Sequence, residues 1–400
     1  MPQAPAGEGA AAAAAFRRRL RRDADPRRRR PPAQHRQGGG VTEIVIAGGG
    51  TGGHLFPGLA VAAELERAGA GVSWLGAQRG MEAVRVPQAG IPIRLLAVSG
   101  AVARSRGEQA AAALQLLPAI VRALAFLARR RAAAVLAVGG YASLPGALAA
   151  GALGLPVVLQ EQNARPGVAN RFLAPWSVAV ACGFAEAVAA FPSLPASWTG
   201  NPVRPEFFSV PAPRTAPVSV LVTGGSQGSA FLNAALPDAF AELARRGSLP
   251  RVVHQAGPRW AAEVRERYAV RGTPAEVVAF LERPAEAMAE AVLVIARAGA
   301  LTIAELAAAR RAALLVPFAA AAHGHQLANA RAFAATGGAD VLQEHEATTS
   351  RIAAALAAML AAPEALVERG VAAGRLARPD AAAAVARLVL ERTGSGGAHS

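Results

Sequence analysis

The feature that most constrains the fold of this 400-residue chain is a repeated alternation of short apolar runs with helical stretches. The first series begins with the apolar run VTEIVIA, the glycine loop GGGTGGH and the helical stretch LFPGLAVAAELERAG. The second series begins in the same way, with VSVLVT, GGSQGS and FLNAAL. Strands that alternate with helices form parallel sheets that are covered on both faces. The sequence therefore predicts an α/β protein with two doubly wound, Rossmann-like domains.

The break between the two series lies at the turn-like GNPVRP, residues 200–205, and at the Pro-rich SVPAPRTAP that follows it. We predict an N-terminal domain over residues 41–203 and a C-terminal domain over residues 204–375. Residues 376–400 are expected to form a helix that packs back on the N-terminal domain, followed by a tail. Because doubly wound sheets bind ligands at the carboxyl ends of their strands, we expect the functional site in the cleft between the domains.

Residues 1–40 carry ten arginines and three acidic residues but no apolar core. They are predicted to be a disordered Arg/Pro-rich tail and not a secretory signal. Asp23 and Asp25 match the D-x-D pattern of some metal sites, but no strand surrounds them and we interpret the match as chance. The whole chain has a formal net charge of +15. A basic protein suits anionic partners such as nucleotides, diphosphates or an acidic membrane surface.

Residues 132–159 contain no charged residue and are long enough to span a membrane. Gly139, Pro145 and Pro156 divide the segment, which favours two strands buried on both faces of a parallel sheet. The single cysteine, Cys182, excludes a disulfide within the chain and is typical of a reducing cytoplasm.

The loop GGGTGGH can be interpreted in two ways. Gly48, Gly50 and Gly53 fit the G-x-G-x-x-G pattern of dinucleotide-binding turns. An NAD site also needs an acidic residue at the end of the second strand, and that strand ends in WLGAQRG, which has none. The loop is therefore predicted to face another phosphate-bearing ligand, through glycine backbone and the amides that open the next helix.

A third loop, Ala296 to Leu306, follows the strand-like run AVLVI. Thr302 and Glu305 fit the S/T-x-x-E capping box of a helix start. The alternative interpretation places this helix N-terminus at a diphosphate and uses Glu305 to bind a ribose. Both interpretations are compatible, since a cap that orders the helix end also orders a phosphate site.

In chain order, the motifs are GGGTGGHLFPGLAVA, WLGAQRGMEAVRVPQAGI, GGYASLPGALAA, VVLQEQNARPGVAN, GNPVR, TGGSQGSAFLN, RAGALTIAEL and HQLANARAF. From about residue 42 to 390 this series resembles the MurG family, bacterial UDP-N-acetylglucosamine transferases that convert lipid I to lipid II in peptidoglycan synthesis. The resemblance implies a two-domain GT-B glycosyltransferase fold. It also implies that the C-terminal domain holds UDP-GlcNAc and the N-terminal domain holds the lipid-linked acceptor.

The resemblance implies a set of substrate-binding residues, carried over by motif. Leu281 would offer its backbone to the uracil, Glu305 would bind the ribose hydroxyls and Gln326 would contact the sugar. The full set is Thr51, Gly52, Gly53, Asn163, Arg204, Ser226, Leu281, Ala300, Leu301, Thr302, Ile303, Ala304, Glu305 and Gln326. The chain departs from the family pattern at Ser229, where Ala is usual, at Ala296, where Ser is common, and at His323-Gly324, which replace an acidic pair.

The implied reaction inverts the anomeric carbon of GlcNAc in one in-line displacement. It needs a base for the C4 hydroxyl of the acceptor, and His54 at the end of the first glycine loop is the candidate. The alternative is that His54 only donates a hydrogen bond to the acceptor diphosphate or to its own loop. Glu161 is a second candidate for the base.

Stabilisation of the leaving UDP is expected from helix N-termini at GGSQGS and RAGALT and from the nearby Arg297, without a metal. His323 and His325 lie two residues apart without supporting carboxylates or thiols, so no metal site and no required cofactor are predicted.

The expected partners are UDP-GlcNAc, undecaprenyl-linked lipid I, an anionic membrane surface and other cell-wall synthesis proteins, with no nucleic acid. The implied location is peripheral, at the cytoplasmic face of the bacterial inner membrane. Residues Leu114 to Arg131, which end in three arginines, suit shallow insertion beside anionic lipids or an ordinary sheet-covering helix equally well. Alternatives to the implied activity are another GT-B UDP-sugar enzyme with a different acceptor, a UDP-GlcNAc epimerase, an NAD-dependent oxidoreductase and a silent membrane scaffold.

Overall fold

A computed structural model describes residues 41–98, 106–321 and 324–394. The predicted tail over residues 1–40, with Asp23 and Asp25, lies outside these residues, as does His323. The described chain contains two parallel β-sheets, one of seven strands and one of six. The predicted α/β class with two doubly wound sheets is confirmed.

The first sheet has the strand order β3-β2-β1-β4-β5-β6-β7. Its strands are β1 (Glu43–Ala47), β2 (Gly71–Ala77), β3 (Ile93–Leu96), β4 (Ala132–Ala137), β5 (Val157–Glu161), β6 (Ala179–Cys182) and β7 (Ala196–Trp198). The helices between them are α1 (Gly52–Arg67), α2 (Glu82–Gln88), α3 (Arg106–Arg130), α4 (Leu144–Ala152) and α5 (Val168–Leu173).

The second sheet has the order β10-β9-β8-β11-β12-β13. Its strands are β8 (Ser219–Thr223), β9 (Arg251–Gln255), β10 (Glu276–Val278), β11 (Leu293–Ala296), β12 (Ala312–Leu315) and β13 (Ala339–Val341). Its helices are α6 (Ala230–Arg245), α7 (Ala261–Val270), α8 (Pro284–Glu290), α9 (Ala300–Ala308), α10 (His325–Ala334), α11 (Thr349–Leu360) and α12 (Pro363–Ala373), and the described chain ends with α13 (Ala381–Gly394).

In each sheet the strand order reverses beside the first strand, so two carboxyl-end loops diverge there and leave a crevice. In the first sheet these loops follow β1 and β4, and in the second they follow β8 and β11. Both glycine loops singled out in the sequence therefore lie at a position where doubly wound sheets bind ligands.

The uncharged residues 132–159 form β4, α4 and β5, and both strands are buried. The interpretation as two buried strands is confirmed, because each strand has an apolar neighbour on both faces of the sheet. No single helix of the described chain is long and apolar enough to cross a membrane. One pair, Thr349–Leu360 with Pro363–Thr393, meets the length and composition criteria together but is bent by 93°.

The last helix, α13, lies against α1, and its Val385, Ala386 and Val389 share a buried cluster with Ile44 of β1. The preceding helices α11 and α12 instead pack on α6 and β12 of the second sheet. The chain thus packs on the first sheet again from Arg378, whose guanidinium lies 3.6 Å from the ring centroid of Trp198 in β7, through its last described helix, while the exact domain boundaries stay predictions.

Candidate active site

The first glycine loop needs glycine for both its conformation and its close packing. Gly48, Gly49 and Gly50 have φ values of +143°, +142° and +89°. A Cβ on Gly48 would lie 2.6 Å from Cγ2 of Val138, and a Cβ on Gly49 would lie 2.3 Å from the carboxyl carbon of Glu82. A side chain at Gly48 would therefore push this loop away from the loop after β4, and one at Gly49 would push it away from the start of α2.

Helix α1 begins at Gly52, three residues before the predicted start, because Thr51 is extended and acts as its N-cap residue. The backbone amide of Leu55 donates to the carbonyl of Thr51 at 3.1 Å. The His54 amide donates to the same carbonyl at 3.2 Å, so within the first helical turn the amides of Gly52 and Gly53 are the ones without an acceptor in the helix. Thr51 is exposed and makes no side-chain capping bond, so its hydroxyl is not used to cap the helix.

Glu82, which was not predicted from the sequence, holds the glycine loop after β1 through a hydrogen bond to its backbone. Its carboxylate, which is fully buried, accepts the Gly50 amide at 2.7 Å and the Ala77 amide at 2.8 Å. It is the first acidic residue after β2, which is the signal that could have drawn attention to it. Because this carboxylate turns toward the loop itself, it is not presented to a ribose, and the prediction against an NAD site keeps its support.

His54 packs on the loop after β4, which contains Gly139 and Gly140, and Gln162 lies beside its ring. Its Nδ1 is 3.1 Å from Oε1 of Gln162. Ideal Cβ positions on Gly139 and Gly140 would come within 3.0 Å and 3.3 Å of the imidazole ring, so glycine is required beneath it. Burial lowers the pKa of His54 below 6.5, and the charge of Glu161 together with the Gln162 contact offsets part of this shift. The imidazole is therefore neutral near pH 7, as a general base must be.

Glu161, the second candidate for the base, is already occupied by hydrogen bonds. Its Oε1 accepts the Asn163 amide at 2.8 Å and the Asn163 side chain at 3.1 Å. Its Oε2 accepts the Gly167 amide and the Asn170 side chain, both at 2.9 Å. A buried carboxylate with four donors orders the loop after β5, and the geometry favours His54 as the base.

Asn163 lies where the two domains meet. Its side-chain oxygen accepts Nδ2 of Asn329 at 3.1 Å, and Oδ1 of Asn329 accepts the Ala164 amide at 2.8 Å. Asn329, which has no exposed surface, also donates to the carbonyl of Ala298 in the loop after β11 at 3.1 Å. The sequence analysis did not select Asn329, although it belongs to the quoted HQLAN motif.

Arg204 and Glu305 were both predicted to bind substrate, Glu305 at the ribose, and the structure brings them together. The guanidinium of Arg204 lies 3.7 Å from the Glu305 carboxylate and 3.2 Å from that of Glu206. Burial raises the pKa of Glu305 to about 7, and Arg204 opposes this shift. The Glu305 carboxyl group thus changes its charge close to neutral pH.

The predicted capping box at Thr302 and Glu305 is wrong. Helix α9 begins at Ala300, and its N-cap residue is Gly299 in an extended conformation, so Thr302 lies inside the helix. Consequently Glu305 is in the second turn, where its side chain reaches Arg204. The amides of Ala300, Leu301 and Thr302 precede the first helical hydrogen bond, from Ile303 to the Gly299 carbonyl, and such free amides at a helix start favour an anion.

The remaining residues of this predicted segment divide between core and surface of α9. Ile303 is 1% exposed and packs in the hydrophobic core, so only its backbone is available to a ligand. Leu301 and Ala304 are partly buried against the same core.

Gln326 joins two loops at the carboxyl end of the second sheet. Its Oε1 accepts the Phe318 amide at 2.9 Å and the Ala298 amide at 3.2 Å. The neighbouring His325 contacts the Arg165 carbonyl through Nδ1 at 2.7 Å, so α10 also holds the loop after β5. Leu281 is partly buried in the loop after β10, and Ser226 is exposed in the turn after β8. All these positions surround the same edge of the second sheet.

Arg297 differs from its predicted role at the leaving diphosphate. Its Nε donates to Ser229 Oγ at 2.8 Å, its Nη1 donates to the Val316 carbonyl at 3.0 Å and its Nη2 pairs with Glu344. Ser229 also caps α6 by accepting the Leu232 amide. With these contacts the guanidinium anchors three loops together instead of facing the crevice. Ser229, a departure from the family pattern, is the residue that makes one of these contacts possible.

Among the residues that the structure describes, no group of three or more His, Cys, Asp or Glu side chains could hold a metal ion. His325 is turned toward the Arg165 carbonyl. That the reaction requires no metal therefore stays a prediction.

Comparison with known proteins agrees with this geometry. Residues 44–182 match the glycosyltransferase family 28 N-terminal domain, and residues 219–385 match the glycosyltransferase family 28 C-terminal domain. A relative from Xanthomonas euvesicatoria pv. vesicatoria is 42% identical over 86% of this chain and 80% of its own length. It is named UDP-N-acetylglucosamine–N-acetylmuramyl-(pentapeptide) pyrophosphoryl-undecaprenol N-acetylglucosamine transferase.

Two solved structures are similar to this chain, one at an identity that supports the family and one at an identity that supports only the fold. MurG of Acinetobacter baumannii is 33% identical with a TM-score of 0.73, over 88% of this chain and 99% of that one. UDP-GlcNAc 2-epimerase from Neisseria meningitidis is 15% identical with a TM-score of 0.62, over 88% of this chain and 100% of that one. The epimerase similarity shows the fold alone.

Two doubly wound domains whose carboxyl-end loops meet at one cleft define the GT-B class of glycosyltransferases, and the family matches agree with that class. The chain belongs to glycosyltransferase family 28. The resemblance found in the sequence motifs is thereby confirmed, while the roles of the individual site residues stay predictions.

Proposed function

We propose that this protein transfers GlcNAc from UDP-GlcNAc to the C4 hydroxyl of MurNAc-(pentapeptide)-pyrophosphoryl-undecaprenol, which converts lipid I to lipid II. The observation that carries the proposal is 42% identity over 86% of the chain to a relative that bears this name. The crevices at the two glycine loops, which lie at the first strand of each sheet, support it.

UDP-GlcNAc would bind at the carboxyl edge of the second sheet. The α9 amides of Ala300 to Thr302 and the loop at Ser226 would hold the diphosphate, because helix N-termini favour anions. Glu305 would accept hydrogen bonds from the ribose hydroxyls, Leu281 would contact the uracil and Gln326 would contact the sugar. These residues surround the ends of β8, β10 and β11, which is why one nucleotide sugar could touch them all.

The acceptor would lie on the first sheet, with its diphosphate at Thr51, Gly52 and Gly53. Its C4 oxygen attacks the anomeric carbon of GlcNAc while the bond from that carbon to the UDP oxygen breaks, which inverts the configuration. The hydroxyl proton passes to Nε2 of His54, and the imidazolium later releases it to solvent. The neutral state of His54, favoured by its burial, supports this role.

The leaving UDP would be stabilised by backbone amides without a metal ion. Supporting this proposal, the start of α9 presents amides at the end of β11, and Ser229 caps α6 beside the loop at Ser226.

The enzyme would work peripherally at an anionic membrane on the cytoplasmic side. On α3, Leu117 is 69% exposed and Val121 is 57% exposed, one helical turn apart, while Ala119, Ala123 and Leu127 face the core. Arg129, Arg130 and Arg131 follow at the exposed end of the helix. Apolar residues beside arginines suit the interface of an anionic bilayer. Replacing Leu117 and Val121 by Ser is expected to reduce co-sedimentation with anionic liposomes, and unchanged co-sedimentation would contradict this membrane face.

The test of function is transfer of labelled GlcNAc from UDP-GlcNAc to a soluble lipid I analogue, with and without EDTA. Equal product in both samples is the expected result. Complete loss of product in EDTA would overturn the metal-free mechanism. Binding of UDP-GlcNAc without any transfer would retain the donor site but overturn the proposed acceptor.

A further inference from the structure

We infer that Gln162 is a positioning residue that holds the His54 imidazole with its proton on Nδ1 and its lone pair on Nε2. The inference rests on the proposed role of His54 as the base, because that role needs an unprotonated ring nitrogen toward the acceptor. Gln162 is 2% exposed and stands directly after β5, so a substrate has no direct access to most of its side chain.

The orientation of the Gln162 amide follows from its surroundings. Its Nε2 lies 2.8 Å from the Val138 carbonyl, a group that can only accept hydrogen bonds, and 3.3 Å from Oε1 of Gln160. The NH₂ group must therefore face Val138 and Gln160, which leaves Oε1 toward His54. Reversing the amide would put two carbonyl oxygens together in a buried place, at a cost of about 1–3 kcal/mol.

The tautomer of His54 follows from the orientation of that amide. Because Oε1 of Gln162 only accepts, the His54 nitrogen 3.1 Å from it must carry the proton. In a neutral imidazole the other nitrogen, Nε2, then has the lone pair. The opposite tautomer would place two lone pairs against each other at Nδ1.

The ring has little freedom to escape this contact. Gly139 and Gly140, both with positive φ, lie against the imidazole, and a Cβ on Gly139 would be 3.0 Å from Nδ1. The backbone of Gln162 is held as well, since its carbonyl accepts Nδ2 of Asn201 at 2.9 Å. The chain therefore supplies a fixed acceptor to a fixed ring, which is the arrangement that defines a tautomer.

Replacement of Gln162 by Met tests the inference, because it keeps the approximate volume and removes the side-chain acceptor, so that only the Val138 carbonyl is left as an acceptor for the ring. Nitrogen NMR of the full-length protein with labelled histidine distinguishes protonated from unprotonated ring nitrogens, and the His54→Gln variant identifies the His54 signals. The wild type is expected to show the proton on Nδ1, and Gln162→Met is expected to move a substantial fraction to Nε2. Transfer by Gln162→Met should fall on the order of 10²-fold, within the range for loss of a general base, while the Kd for UDP-GlcNAc stays unchanged.

Two further variants separate positioning from folding. Gln160→Met removes a buried amide of β5 that does not touch His54 and has only the longer contact, 3.3 Å, with Nε2 of Gln162. Because the Val138 carbonyl at 2.8 Å still holds the Gln162 NH₂ group, this variant should keep the Nδ1 proton and the pH–rate profile. Gln162→Glu keeps an acceptor at Nδ1, and its second oxygen can satisfy the Val138 carbonyl only as the protonated acid, so this variant should retain the tautomer.

A wild-type proton on Nε2, or a Gln162→Met variant that keeps the proton on Nδ1, would overturn the inference. An equal change in Gln160→Met and Gln162→Met would do the same, because the effect would then come from loosening of the strand. The NMR result does not depend on turnover. Failure of transfer to lipid I with an intact Nδ1 tautomer would thus contradict the proposed function alone.

Discussion

At the scale of single residues, Glu305 combines two opposing influences on one carboxyl group. Burial disfavours its charge and raises its pKa to about 7, while Arg204 favours the charge from 3.7 Å away. Binding of ribose hydroxyls requires acceptor oxygens, which the ionised carboxylate supplies best. With the proposed contact between Glu305 and the ribose, the charge of this residue is expected to couple donor binding to pH in the neutral range.

We expect the KM for UDP-GlcNAc to rise about tenfold when the pH is lowered from about 8 to about 6, because most Glu305 carboxyl groups are then protonated. Steady-state kinetics at saturating acceptor measures this directly. Glu305→Gln should have a high KM that no longer changes with pH in this range. A wild-type KM that stays constant would contradict the role of Glu305.

Single residues also show where the sequence was insufficient. His54, Asn163, Arg204 and Glu305 could be selected because each belongs to a short motif with its own chemistry. Glu82 could not, because its bond to Gly50 joins residues 32 positions apart and exists only when β1 and β2 pair. The contact of Gln162 with His54, across 108 positions, has the same origin.

At the scale of elements, the glycine loop after β1 depends on the start of α2. The Glu82 carboxylate at the beginning of this helix accepts hydrogen bonds from the Gly50 amide of the loop and from the Ala77 amide of β2. Helix α2 thus acts as a support for the acceptor loop, although none of its residues was predicted to bind substrate.

Replacing Glu82 by Gln should lower the free energy of unfolding by about 1–3 kcal/mol, because a neutral amide satisfies only one of the two buried N–H groups. The KM for the acceptor should rise, while the KM for UDP-GlcNAc should change little. Urea denaturation and steady-state kinetics measure these effects. The exposed Glu66 on α1 offers a control, since Glu66→Gln removes the same charge without touching the loop. Equal effects of the two substitutions would refute the supporting role of Glu82.

A second element-scale feature is a buried polar cluster that ties β9 to α6 and α7. His254 lies 3.0 Å from the Tyr268 hydroxyl and 3.1 Å from Oδ1 of Asn233. Burial lowers the pKa of His254 to about 3. Between this value and the unfolded value of 6.5, the unfolded chain binds more protons than the folded one. The stability contributed by neutral His254 is thus fully present above pH 6.5 and falls as the pH decreases.

At about pH 5 this effect should cost about 2 kcal/mol, at ~1.4 kcal/mol for each pH unit. The wild type should therefore lose more of its free energy of unfolding between about pH 7.5 and pH 5 than His254→Gln does. Urea denaturation at the two pH values gives the difference. His345→Gln, at an exposed position, is the matched control and should follow the wild type. Parallel pH dependence of His254→Gln and the wild type would disprove the assignment.

At the scale of the whole molecule, Asn329 connects the two domains through one buried side chain. It contacts Asn163 and Ala164 of the first domain and Ala298 in the loop that precedes α9. The loops after β5 and β11 therefore share one hydrogen-bonded centre, so a change at one loop can be transmitted to the other.

Replacing Asn329 by Ala should reduce the rate of transfer far more than it weakens UDP-GlcNAc binding, because the amides at the start of α9 remain while the domains lose one of the buried contacts that join them. Calorimetry measures the Kd and the transfer assay measures kcat. Cleavage by protease in residues 205–217 should also become faster. Arg331→Ala, at an exposed position of the same helix, serves as control. An unchanged kcat in Asn329→Ala would exclude this coupling.

The sequence by itself determined the two-sheet architecture and the positions of the glycine loops. Strands such as IVIA in β1 are apolar on both faces, and only the interior of a parallel sheet buries both faces at once. Glycines that must adopt positive φ mark the loops, and this signal too can be recognised from the local sequence. The start of α9 was beyond this local information, because Gly299 and Thr302 are both acceptable caps and the backbone conformation selects between them.

Only the tertiary structure decided how the loops are supported and joined. Glu82, Gln162 and Asn329 contact residues far away in the sequence. Arg297 donates a hydrogen bond to Ser229, whereas the sequence predicted that it contacts the diphosphate. Such contacts depend on which strands become neighbours, on which buried polar groups still need partners and on how the two domains meet. Local patterns specify the elements and the chemistry of each loop, whereas the distances between loops arise only when both sheets are folded and packed.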